Sequence, residues 1–194
     1  MANLLRISNM NTQYPQSQFA ASLASRIQNI RWYSAYEQQG KPLVTNLLEM
    51  FGSGFGISDF TVRWLSLDEL SAVIDEMNLA ESPLWGHLSP IPERIRQAAE
   101  AVGQQDEFVF IFNDFMEIVF HAAYDGAYRA FGSCGEKTLN YAVGSALYVS
   151  ALAVGWAKFA EAGQLGDNPF LPLVAVFESG YWPIGLYKNQ FYVQ

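Results

Sequence analysis

The chain has 194 residues, a single cysteine and a net charge of −8, with 51% apolar and 15% charged residues. A chain of this length buries roughly 70% of its unfolded surface on folding, so it needs no metal or disulfide staple, and one cysteine excludes an internal disulfide. The low charged fraction does not mean disorder, because apolar residues are plentiful, and the acidic balance argues against general nucleic-acid binding, which needs a basic face.

Residues 1–16 carry no strong pattern, and 3–8 are a short strand candidate. Residues 17–39 read as a helix, because Phe19, Leu23, Ile27, Ile30 and Tyr33 fall on one face. Gly40 and Pro42 end it, and 43–51 are a short helix candidate running into the glycine-rich loop 52–56. Residues 60–65 read as extended. Ser66 and Glu69 form a capping box for a helix that ends near Met77 and buries Leu70, Val73, Ile74 and Met77. A loop containing Trp85 and His87 follows, and Pro92 opens a helix that Gly103 closes.

The most regular stretch is 106–131, where Phe108, Phe112, Phe115, Met116, Val119 and Ala123 share a helical face and Gly126 is a weak point. After a turn at 132–135, Thr138 is placed as the cap of a long apolar helix ending at Gly163. Its uncharged core, 139–157, is just long enough to span a bilayer. Its alanines, glycines and serines, with Lys137 and Lys158 at either end, instead suit a helix buried on all sides. Asn168 and Pro169 start a helix that Gly180 stops, and 184–187 and 190–193 form a hairpin around Lys188 and Asn189. Such a hairpin must dock on the helices or pair with an N-terminal strand. The expected architecture is mainly α: a single-domain helical bundle over 1–194, around a central apolar helix (138–163), with a small C-terminal β-hairpin.

Charge is uneven along the chain. Residues 41–136 hold five basic and fifteen acidic residues, a net of −10, whereas 1–40 are net +2 and 137–194 neutral. The middle of the chain therefore presents an acidic surface, suited to solubility or to docking a basic partner.

The chemical candidates are few. Asp114, Glu117, His121 and Asp125 fall within an arc of roughly 80° on one helix face. Carboxylates beside an imidazole can share a metal or act as an acid–base set. Against this, a bundle di-metal site uses Glu-x-x-His on two helices, whereas here the spacing is Glu-x-x-x-His and nothing repeats it. A solvated polar stripe has the same pattern. The run 132–138 ends in Lys137 and Thr138 like a phosphate loop, but Glu136 interrupts it and a helix precedes it, so it reads as a turn. Residues 52–56 do not match a dinucleotide loop, and Cys134 lacks a recognisable His partner. Trp182, Tyr187, Phe191 and Tyr192 are candidates for an aromatic interface.

No motif ties the sequence to a family. The expectation is a non-enzymatic protein-binding module with an acidic face, inhibiting a basic partner, with no cofactor, nucleic acid or membrane and with a homodimer in view. The alternative is a metal-dependent enzyme using Asp114, Glu117 and His121. The start of the chain lacks a basic segment followed by an apolar core, so the expected location is the cytoplasm.

Overall fold

A computed structural model describes residues 15–34, 40–77, 88–163, 165–187 and 189–194, without the side chains of 15–17 and 161–163. The expected strand at 3–8, the end of the first helix at 35–39, and Trp85 and His87 lie outside these residues.

The described elements run α1 (Pro15–Gln28), α2 (Lys41–Gly54), β1 (Thr61–Trp64), α3 (Leu67–Glu76), α4 (Ile91–Ala101) and α5 (Gln105–Phe110). A π-helical turn (Ile111–Phe115) leads into α6 (Met116–Phe131), and a 3₁₀ turn (Gly132–Cys134) into α7 (Glu136–Gly163). The chain closes with α8 (Leu171–Glu178), β2 (Pro183–Tyr187) and β3 (Gln190–Val193). The fold is mainly α with a small sheet, as expected.

Helix α7 is the axis. Helices α1, α3, α4, α6 and α8 all pack against it, which is why its sequence is apolar all round. Glu136–Ala160 is long and apolar enough to cross a membrane, yet 78% of its most apolar window is buried inside the fold. Small residues let the neighbours close in. A Cβ on Gly155 would meet Ile95 Cγ2 at 3.1 Å and Phe112 Cε2 at 3.3 Å. The buried hydroxyls of Ser145 and Ser150 donate to the Ala142 and Ala146 carbonyls, so neither costs an unpaired polar group.

The sheet has the order β1-β3-β2. The hairpin forms as expected, with Asn189 at φ 59° in its turn. It docks on the helices, and Tyr141 on α7 donates to the Ile184 carbonyl at 3.0 Å. It also gains β1, which lies parallel to β3 with Thr61 opposite Gln190 and Trp64 opposite Val193.

Four local expectations are corrected. Helix α1 ends at Gln28, because Asn29 turns back on it. The Asn29 side-chain amide donates to the Ser25 carbonyl, and Tyr33 takes a left-handed φ of 56°. Ile30 and Tyr33 still reach the core, but from a turn. Helix α2 continues through Gly54 and stops at Gly56, whose φ of 69° suits glycine. Helix α7 starts at Glu136 rather than at Thr138, after Gly135 at φ 95°, and Thr138 donates to the Cys134 carbonyl from within the first turn. The fourth concerns 106–131, where the π turn inserts a wide step into the helical path. The buried face there is Ile111, Phe115, Val119, Ala123 and Ala127, while Phe108 and Phe112 stack half-buried with centroids 4.6 Å apart.

Candidate functional site

Helix α6 buries one flank, through Val119, Ala123, Gly126 and Ala127, and turns the rest outward. Every fourth residue on the outward side is aromatic: Phe120, Tyr124 and Tyr128. Residues four apart on a helix lie above one another, so these rings form a ladder. Phe120 stacks on Tyr124 with centroids 5.7 Å apart and planes at 26°. Tyr124 stacks on Tyr128 at 6.2 Å and 15°. The three side chains remain 39%, 37% and 61% exposed, so their mutual contact does not remove them from water.

The polar candidates flank the ladder. Glu117, His121 and Asp125 are exposed along α6, and the His121 ring meets the edge of Phe120 at 5.7 Å. Asp114 sits half-buried in the π turn, where the wide backbone step moves it off their regular spacing. Among the described residues, no three of His, Cys, Asp and Glu gather as metal ligands. Glu117, His121 and Asp125 thus form a carboxylate and imidazole stripe along the exposed side of α6. Cys134 is half-buried with its Sγ 3.9 Å from the Leu67 carbonyl, and of the 132–138 run, 132–135 form the turn between α6 and α7 while 136–138 begin α7.

The C-terminal aromatics expected at an interface lie mostly inside the fold. Trp182, Phe191 and Tyr192 are buried in the core, and Tyr187 is half-buried. Trp182 lies edge-on to Tyr141 and tilted against Phe131, with centroids 5.7 and 5.0 Å away. Its indole N–H donates to Ser145 Oγ at 2.9 Å. Phe191 meets Phe51 from α2 and Phe60 from the lead into β1. Docking of the hairpin consumes these rings, as an isolated hairpin requires.

Apart from Phe19 on α1, the exposed aromatics among the described residues lie on α6, and the sequence held a signal for them. Phe120, Tyr124 and Tyr128 repeat at four-residue steps beside Glu117, His121 and Asp125, off the Val119 and Ala123 stripe. No family model matches the chain, and no curated protein or solved structure matches it either.

Proposed function

We propose that the chain is a non-enzymatic protein-binding module whose helix α6 docks a basic partner. The observation that carries this reading is the stacked, exposed ladder of Phe120, Tyr124 and Tyr128 running beside Glu117 and Asp125. Aromatic faces attract arginine and lysine side chains, and neighbouring carboxylates supply charge complementarity and speed encounter. Preformed stacking also lowers the ordering cost of binding, because the rings already restrain one another. The acidic middle of the chain, net −10 over 41–136, extends the same field. A cytoplasmic setting and inhibition of the basic partner complete the proposal.

A labelled arginine- and lysine-rich helical peptide, compared with its glutamine counterpart by fluorescence anisotropy, tests it. The basic peptide should bind and weaken as salt rises. Tyr124→Ala and Glu117→Gln should each weaken it about tenfold, the size expected for loss of one central contact. Equal affinity for both peptides, or an affinity untouched by these substitutions, would remove the reading. A concentration-dependent rise in mass that Tyr124→Ala abolishes would make a second copy of the chain the occupant instead.

A further inference from the structure

The turn that follows α1 creates a second site, which shares Asp125 with the acidic flank of the ladder. Residues 30–34 pass over α6 so closely that a Cβ on Gly126 would lie 2.7 Å from the Trp32 carbonyl oxygen. Beside that contact is a cavity of about 420 Å³ between the turn and the helix, lined by Arg31, Trp32, Ser34, Asp125 and Arg129 among others.

Its two arginines differ from the other described ones. Arg26 is held by Glu178 through two bonds of 3.1 and 2.8 Å, and Arg63 pairs with Glu69 at 3.3 Å. Arg96 is clasped by Glu93 and Glu100, and Arg94 lies over the Trp156 ring at 5.3 Å. Arg31 and Arg129 are the two described arginines whose guanidinium groups have no ion-pair or ring partner among the described residues, and both line this cavity. With Asp125 the cavity carries a net positive charge in a chain of net −8. Trp32, another lining residue, buries its indole Nε1 with no hydrogen-bond partner among the described residues. On the other side of the same turn lies a larger polar cleft, of about 660 Å³, which Arg31 and Ser34 also line; there the second arginine, Arg26, is already neutralised by Glu178, whereas Arg129 lines only the smaller cavity.

We infer that the cavity between residues 30–34 and α6 binds a small oxyanion, a carboxylate or a phosphate, between Arg31 and Arg129. A guanidinium presents paired N–H donors that match either group. Two arginines lining one cavity carry more donors than Asp125 can accept from. The Ser34 hydroxyl adds a neutral donor at the rim; its present acceptor is the Arg31 carbonyl at 2.7 Å. Asp125 limits the charge the cavity tolerates and repels the anion, so it tunes affinity downward. The site shares Asp125 with the peptide-docking face but is read by oxyanion binding at Arg31 and Arg129, so either reading can fail without the other.

The test is a titration with inorganic phosphate and, separately, acetate, each matched in ionic strength with chloride and followed by amide and indole NMR signals. Saturable shifts should be confined to Trp32–Ser34 and to 122–129. Arg31→Gln and Arg129→Gln should each weaken binding by about fivefold or more, as loss of a charged hydrogen bond does. Asp125→Asn should tighten it, and Arg96→Gln should leave it unchanged. Saturation by phosphate alone, acetate alone or both identifies the oxyanion and upholds the site. Absence of saturation, shifts spread over the whole chain, or full affinity in Arg31→Gln with an unchanged spectrum elsewhere would overturn it.

Discussion

Gly126 and Trp32 are in direct backbone contact: a Cβ on Gly126 would lie 2.7 Å from the Trp32 carbonyl oxygen and 2.8 Å from its Cβ. The glycine that looked like a weak point of the helix is the place where the chain after α1 crosses α6. In an open helix, Gly→Ala would stabilise by about 1 kcal/mol. Here the added methyl meets backbone, which cannot step aside as a flexible side chain can. Gly126→Ala should therefore destabilise the fold by about 1–3 kcal/mol, the usual cost of overpacking. Urea denaturation reads this directly, and a stabilised variant would mean that the 30–34 turn shifts freely.

The ladder and the core face of α6 should respond oppositely to truncation. Phe115, at the end of the π turn, is 1% exposed, and Phe115→Ala should cost about 3–5 kcal/mol. The triple change Phe120→Ser, Tyr124→Ser and Tyr128→Ser removes more aromatic surface from the chain. Those rings stack on one another and stay 37–61% exposed, so it should cost less than about 2 kcal/mol in total. Denaturation midpoints of the two variants decide the matter. A large loss in the triple variant would make the ladder a structural element rather than a docking surface.

The capping box of α3 gives a pH dependence with a definite sign. The Ser66 N–H and hydroxyl both donate to the Glu69 carboxylate at 2.9 Å, and Arg63 lies 3.3 Å from it. The backbone bond from Ser66, then its hydroxyl and Arg63, hold the Glu69 carboxyl below its usual value. A folded value below the unfolded one means that the stabilisation is present above the unfolded pKa and is lost as pH falls through the folded one. The stability difference between the native chain and Glu69→Gln should therefore be largest near neutrality and shrink in acid. Urea titrations of both proteins between neutral and strongly acidic pH measure it, and a difference constant with pH would contradict the assignment.

What the sequence made legible was what local chemistry decides. The Ser66 and Glu69 box, the glycine stop at Gly103 and the Asn189 turn each depend on residues a few positions apart. Three other features depend on partners far along the chain. The left-handed Tyr33 breaks the apolar spacing of α1 because its ring is wanted against Phe131 and Trp182. The π turn shifts the face of 106–131 by an amount that regular helical geometry does not contain. The parallel pairing of Thr61 with Gln190 joins segments with no shared local signal. The same division applies to the site. Of the polar cluster Asp114, Glu117, His121 and Asp125, the last three lie exposed along one helix, but in the sequence their aromatic neighbours look no freer than the C-terminal rings, which docking buries.

That burial also makes the Ser145 and Trp182 pair a test of the core. The Trp182 indole donates to Ser145 Oγ at 2.9 Å, and Ser145 donates in turn to the Ala142 carbonyl at 2.9 Å. The same carbonyl accepts the Tyr33 hydroxyl at 2.6 Å. Ser145→Ala leaves a buried indole N–H without an acceptor, which should cost about 1–3 kcal/mol. In a Trp182→Phe background no donor remains to be stranded, so the same Ser145→Ala change should cost clearly less. Burial raises the Tyr33 phenol far above its ordinary value, with the neighbouring Ser145 hydroxyl opposing this only in part. A raised phenol is stabilising below the unfolded pKa, about 10, and stability must then fall as pH rises above it, because only the unfolded chain ionises freely. Tyr33→Phe should flatten that alkaline decline while lowering stability at neutral pH. A four-member denaturation cycle over Ser145 and Trp182, run at neutral and alkaline pH alongside Tyr33→Phe, separates the two effects. Additive costs in the cycle would show that Ser145 contributes by shape alone.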